Sequence, residues 1–215
     1  MMQHQLTILY RDQQLVVVEK PGGLLAVPGR GPDKQDCVAT RVRHLFPGCI
    51  EQPAVHRLDM DTSGLMVLAL TREAHRDLSL QFAARQVEKR YLALVDGLVA
   101  GEQGEIQLRF RLDPDNRPYQ VYDPVQGKLG ISLWRKRSVV SGGSLIEFTP
   151  LTGRTHQLRL HAAHPLGLGC PIVGDRLYGS GRLGDRLHLH AAWLQFCHPL
   201  TGQLLGFSSP APFVP

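Results

Sequence analysis

His56-Arg57-Leu58-Asp59-Met60-Asp61-Thr62-Ser63-Gly64 is the stretch from which the rest of the chain can be read. Seven of its nine residues are polar, charged or Gly, and the apolar run Leu65-Met66-Val67-Leu68-Ala69-Leu70 follows at once. A short apolar run of this kind reads as a buried strand. A loop of carboxylates and cations therefore feeds straight into the core, where a rigid scaffold holds it, and loops placed that way often carry chemistry. Asp59 is the candidate nucleophile or base, with Arg57 a candidate anion or base contact. Thr62, Ser63 and Gly64 supply turn chemistry, side-chain-to-backbone hydrogen bonds that fix the loop. Taken singly, these residues fit a polar turn before a strand equally well.

The whole string resembles the HRLDxxTSG signature of the RluA-type pseudouridine synthases, and it matches at every fixed position. That family isomerises uridine to pseudouridine in ribosomal RNA and tRNA. Four further strings carry the resemblance along the chain. Glu19-Lys20-Pro21-Gly22-Gly23-Leu24 is similar to the family's NKPxGL-like string. Lys89, Tyr91, Ala93, Val95 and Gly97 match a KxYxAxVxG-like string, whose tyrosine lies in the family's active site. Thr152-Gly153-Arg154-Thr155-His156-Gln157-Leu158-Arg159 matches TGRxHQ(L/I)R, and Gly174-Asp175-Arg176-Leu177-Tyr178-Gly179 matches GDxxYG. The resemblance implies catalytic roles for Asp59, Tyr91 and Arg154, with Arg154 paired to Asp59. It implies RNA contacts for His56, Arg57 and Lys89. Arg30, the one cation of the Gly/Pro loop Val27-Pro28-Gly29-Arg30-Gly31-Pro32, joins them as a candidate grip on RNA.

Composition bounds the rest. The chain has 215 residues, of which 43% are hydrophobic, enough for one sizeable domain or two intimately joined lobes. A net charge of +5 and a pI near 9.2 fit a polyanionic partner. Cys37, Cys49, Cys170 and Cys197 are far apart with no CxxC pair, so they read as reduced thiols of a cytoplasmic protein rather than a disulfide framework or zinc site. Met1-Met2-Gln3-His4-Gln5 is not a signal peptide, and no apolar run is long enough to span a bilayer. The expectation is a soluble, cytoplasmic monomer.

Read in order, residues 6–10 and 15–19 predict a strand hairpin. Asp36 is the expected N-cap of a helix whose apolar positions are Val38, Val42, Leu45 and Phe46, ended by Pro47-Gly48. Thr71 caps a second helix with Ala74, Leu78 and Phe82 on one face. Residues 89–97 read as a strand with Tyr91, Ala93 and Val95 on one side. Residues 105–112 alternate, with Ile106, Leu108, Phe110 and Leu112 inward. A turn cluster at Asp113-Pro114-Asp115-Asn116-Arg117-Pro118 follows. Residues 131–140 and 144–151 form a strand pair around Ser141-Gly142-Gly143, a third helix begins at about Arg154, and residues 187–196 and 203–208 close the sheet. Many strands and few helices predict a mixed α+β fold. The resemblance, which runs from about Leu6 to the C-terminus, implies a mainly antiparallel sheet with flanking helices and a central RNA-binding cleft. It implies a single catalytic domain over residues 1–215, without room for a separate N-terminal RNA-binding domain.

The chemistry follows from the residue types. An enzyme acting on a stacked uridine flips it out, which demands cations for the backbone and a platform for the base. Tyr91 and Leu158 suit the platform; the resemblance gives Arg57 the gap left behind or the flipped nucleotide. Re-joining uracil through C5 needs no metal, redox cofactor or ATP, only an ionised carboxylate near the sugar. A cation such as Arg154 close by lowers a carboxylate pKa by roughly 1–3 units. Asp59 then attacks covalently or stabilises charge at C1′, while Tyr91 is a candidate, intrinsically weak base.

Two rivals carry other functions. Asp59-Met60-Asp61-Thr62 satisfies the D-x-D-x-T pattern of aspartate-nucleophile phosphohydrolases, but the good strand follows the first Asp where theirs precedes it. A non-catalytic RNA-binding module on the same fold would tolerate losing Asp59 or Arg154, and both are present. His156, His161, His164, His188 and His190 lack the acid or Cys that would complete a metal site. The short members of the family modify large-subunit ribosomal RNA and the tRNA anticodon stem-loop, and the Val-Pro-Gly-Arg and Asn-Arg-Pro strings point to that dual-specificity branch.

Overall fold

The computed structural model describes residues 6–140 and 142–214. Residues 1–5 of the expected leaderless N-terminus, and Ser141 of the expected turn, lie outside the described residues. The fold is mixed α+β, built mainly of antiparallel strands with three α-helices among the described residues. The chain divides into two compact units, one of residues 1–89 and 191–211, the other of residues 90–190 and 212–215.

In the first unit, β1 (Thr7–Arg11), β2 (Leu15–Lys20), β3 (Ser63–Ala69), β9 (Leu189–Cys197, from Ala191 onward) and β10 (Leu204–Ser208) run in the order β1-β2-β3-β9, with β10 paired to β9. β1 turns onto β2 through Asp12, whose Oδ1 accepts from the amides of Gln14 and Leu15, the expected hairpin. β2 and β3 pair antiparallel from Leu15↔Ala69 to Lys20↔Gly64. Both are apolar on two faces, so neither shows the alternation of a half-buried strand. Leu15 and Val17 pack with Leu65, Val67 and Ala69 beneath Ala74 and Leu78 of α2 (Arg72–Ala83). Each of the Leu and Val side chains stabilises the unit by roughly 1.5–3 kcal/mol. Thr71 caps α2 as expected, its Oγ1 accepting from the Ala74 amide. α1 (Val38–Leu45) departs in one detail. Its cap is Cys37, whose Sγ accepts from the Thr40 amide, because Asp36 is drawn into a two-point ion pair with Arg41.

Gly64 decides how the signature loop enters β3. Its φ is +108°, and a Cβ there would lie 2.4 Å from the Ala191 carbonyl oxygen and 2.6 Å from its amide nitrogen. Side chain and backbone angle are both forbidden, so Gly64→Ala is expected to cost about 3 kcal/mol or more. A thermal melt of the purified variant, falling several degrees below wild type, checks it.

In the second unit, β4 (Glu88–Val95, from Arg90 onward), β8 (Gly143–Pro150), β7 (Lys128–Val140), β5 (Gln103–Leu112) and β6 (Gln120–Tyr122) follow in that order. The pairs β4/β8, β8/β7, β7/β5 and β5/β6 are all antiparallel. β5 alternates, with Ile106, Leu108 and Phe110 buried between exposed Gln107 and Arg109. Leu112, expected inward, is 37% exposed, because pairing with β7 ends at Phe110 and only the short β6 pairs with the end of the strand. β6 had no sequence signal, being three residues long. α3 (Gln157–Ala163) starts three residues later than Arg154, and packs on β7. The reason is His156, whose left-handed backbone (φ 55°, ψ 19°) cannot continue a right-handed turn.

Candidate active site

The signature loop is held from beneath by one buried cation. Lys20 ends the apolar strand β2 and is fully buried, its Nζ donating to the carbonyls of Pro21 (2.9 Å), Leu24 (2.7 Å) and Met60 (2.8 Å). Those three acceptors use the three N–H groups of an ammonium. Burial pushes its pKa down to about 7, opposed by the charges of Asp61 and Asp59. Met60 lies between those two acids, and its carbonyl also accepts from the Gly23 amide at 2.9 Å. The Thr62 amide donates to the Asp59 carbonyl (3.2 Å), while Leu58 and Thr62 are buried. The outcome is a fixed loop with Asp59 half-buried and Arg57 exposed.

His56 works inside this unit. Its Nε2 accepts from the Val67 amide of β3 (3.1 Å), which puts the ring proton on Nδ1, and the ring stacks on Phe82 at 4.6 Å. Burial, then the charge of Lys89, pushes its pKa down to about 3, so it is neutral. Half-buried Lys89 sits over the Phe82 ring, Nζ 5.8 Å from the centroid, its pKa lowered by burial. Arg30 is exposed on its Gly/Pro loop.

In the other unit, Tyr91 of β4 is half-buried opposite Phe148 of β8. Leu158 is buried in the core with Ile106, Phe110, Phe148 and Leu160. Arg154 is exposed on the turn before α3. Its amide donates to Gln157 Oε1 (3.1 Å), and its Nε to the Leu129 carbonyl (3.4 Å). Gln157 is itself anchored, accepting from Thr152 Oγ1 (2.7 Å) and donating to the Ile131 carbonyl (3.0 Å) and Ser132 Oγ (2.9 Å). Further in, Arg159 grips Asp175 with two bonds of 2.8 and 2.6 Å, both side chains buried. Burial pushes the Asp175 pKa up, but Arg159 and the Leu177 and Tyr178 amides outweigh it and hold the carboxyl below its ordinary value.

Several of the histidines that lack a completing acid or Cys lie against aromatic rings. His161 is buried against the edge of Phe110 (6.0 Å), His164 lies against Tyr122 (4.9 Å), and His188 stacks on Phe213 (4.8 Å).

A model of the RNA pseudouridylate synthases matches residues 14–164, which span both the Asp59 loop and the Arg154 turn. The chain belongs to the RNA pseudouridylate synthase family. As a pseudouridine synthase it forms pseudouridine in RNA, which displaces the phosphohydrolase and binding-module readings. It is 42% identical over 212 residues to the dual-specificity RNA pseudouridine synthase RluA of Haemophilus influenzae, covering 97% of this chain and 94% of that one. The protein of the same name from Escherichia coli strain K12 is 40% identical over 216 residues, again with 97% and 94% covered. Among solved structures, human RNA pseudouridylate synthase domain containing 1 superposes with a TM-score of 0.77 at 29% identity, over 98% of this chain and 85% of that one. No helix among the described residues of this synthase is long and apolar enough to cross a membrane.

Sequence reading missed Lys20 as a working residue, although it lies in a matched string. The usable signal was a cation closing the apolar strand Leu15-Val16-Val17-Val18-Glu19 directly before Pro21. The buried histidines of the synthase also give a pH prediction. Among the described residues neither ring nitrogen of His161 has a hydrogen-bond partner, and burial pushes its pKa from 6.5 down to about 4. The unfolded chain takes up that proton near pH 6.5, and the folded one only near pH 4. Stability is therefore full above pH 6.5 and falls as pH drops through the window, by roughly 3 kcal/mol for this residue. His56 adds a loss in the same direction. Melting temperatures measured from pH 7 to pH 4 are expected to fall, and less steeply for His161→Leu.

Proposed function

We propose that this synthase acts on a flipped-out uridine of the tRNA anticodon stem-loop and of large-subunit ribosomal RNA, with Asp59 as its nucleophile. The observation that carries the reading is how Asp59 is held, half-exposed on a loop whose neighbouring Met60 carbonyl is fixed by both Lys20 and the Gly23 amide. A pre-organised carboxylate pays no reorganisation cost at the moment of reaction. The dual-specificity name of the Haemophilus influenzae and Escherichia coli relatives supports the two RNA classes.

In this reading residues 1–215 act as one catalytic domain, and Arg154 serves the same reaction as Asp59. The carboxylate bonds to C1′ as uracil leaves, or assists loss of a C2′ proton to give a glycal. Uracil then turns and C5 bonds to C1′; in the first route the bond from C1′ to the carboxylate breaks as it forms, and in the second C2′ regains its proton. The C5 proton departs and N1 ends protonated, so the product is an isomer of the substrate. Tyr91 and Leu158 flank the base, with Tyr91 placed to take a proton. Arg57 occupies the vacated stack or holds the flipped nucleotide, while Arg30 and Lys89 meet phosphates. His56 serves the RNA-facing loop from beneath. The protein works as a cytoplasmic monomer without metal or other cofactor.

Tritium release from RNA labelled at uracil C5 tests this, with an anticodon stem-loop and a large-subunit ribosomal fragment offered separately. Release from both is the expected result. Release from one would remove the dual specificity, and release from neither would overturn the substrate assignment.

A further inference from the structure

The second unit contains a closed circuit of contacts around the Arg154 turn. His156 is 8% exposed and holds a left-handed backbone, which a residue with a Cβ adopts only when its surroundings impose it. What the structure offers is Tyr178. Its hydroxyl accepts from the Gln120 amide (2.8 Å) and meets His156 Nδ1 at 2.9 Å. Tyr178 is fixed in turn by Asp175, whose Oδ1 accepts from its amide (3.1 Å), and by Arg159 of α3, whose guanidinium lies 5.4 Å from the ring centroid. The reversal at His156 is what lets Gln157 turn back to hold the Arg154 amide, and lets the Gln157 amide donate to the Arg154 carbonyl at 3.1 Å.

We propose that Tyr178 is a positioning residue for the reaction, acting through the left-handed backbone of His156 on the direction in which Arg154 leaves its turn. The inference rests on the catalytic role proposed for Arg154. It assigns the tyrosine of the Gly174–Gly179 string work at the site without contact with substrate.

The experiment uses the full chain and measures kcat and KM for tritium release from the C5-labelled anticodon stem-loop and ribosomal fragment. Tyr178→Phe keeps the ring and loses the hydroxyl. Its kcat is expected to fall about 10- to 100-fold, the scale of a small misplacement of a reacting group, with KM within about twofold and the fold retained by circular dichroism. The second arm places the same change on His156→Gly. Glycine adopts the left-handed backbone without help, so whatever His156→Gly costs by itself, adding Tyr178→Phe to it is expected to cost less than about twofold more. A Tyr178→Phe variant with wild-type kcat overturns the inference. So does an equal loss in both backgrounds, because the hydroxyl would then act through Gln120 instead. A loss confined to KM overturns it too. If the wild type releases no tritium from either RNA, the functional reading and the inference fall together, and that is visible before any variant is compared.

Discussion

Asp59→Ala is expected to remove pseudouridine formation while leaving the fold standing. Single-turnover tritium release should drop at least about a thousandfold, since the role proposed for Asp59 is that of a nucleophile that splits one difficult step into two, and water cannot replace it. The cost in stability should stay within about 0.5 kcal/mol, because the carboxylate is half-exposed and the loop is held by main-chain groups. The Asp59 carbonyl still accepts from Thr62, and the Met60 carbonyl still accepts from Gly23 and Lys20. One side effect has a definite sign. Asp59 is among the charges that keep a proton on buried Lys20, so its removal lowers the Lys20 pKa further. Melting curves from pH 6 to pH 9 check this, the variant losing relative stability toward the acidic end, where Lys20 must stay charged beside fewer acids. Retained tritium release by Asp59→Ala would move the nucleophile elsewhere.

Asp175→Ala is expected to be the most damaging change to stability in the second unit. It takes away the carboxylate that grips the Arg159 guanidinium with two bonds, at a side chain only 3% exposed, and removes the acceptor of the Leu177 and Tyr178 amides. Breaking a buried ion pair from one side costs about 3–5 kcal/mol, or about 10 °C in melting temperature for a chain of this size. The pair as a whole is worth far less, because both charges were desolvated to make it. The double variant Arg159→Met with Asp175→Leu should therefore recover much of the lost melting temperature. Activity is the separating measurement: the double variant is expected to stay impaired, because Tyr178 has lost both its amide acceptor and the cation over its ring. A double variant as unstable as Asp175→Ala would show that the amide contacts, and not the broken ion pair, set the cost.

Much of this molecule was legible before any coordinates. The loop at Asp59 and the strand after it follow from a polar string abutting Leu65-Met66-Val67-Leu68-Ala69-Leu70, and β3 begins two residues earlier, at Ser63. Thr71 was readable as a cap because capping is a bond over three residues. β5 was readable because alternation is local too. The misses share one cause. Asp36 lost the cap to Cys37 once Arg41 competed for its carboxylate. Leu112 is exposed because its partner strand ends, a fact about β7 and not about β5.

The sequence by itself determined the family and the mixed α+β class, and it singled out Asp59 as the acid to propose, because each is written in contiguous residues whose chemistry or spacing acts at short range. Only the tertiary structure decided what holds those residues. Lys20 reaches the Met60 carbonyl across 40 positions, and His156 meets Tyr178 across 22. Gln157 finds Ile131 and Ser132 across 26 and 25, and Arg159 finds Asp175 across 16. Burial makes those contacts strong, by removing the water that would otherwise compete for each group. Burial is a property of the packed chain, and no stretch of sequence carries it alone.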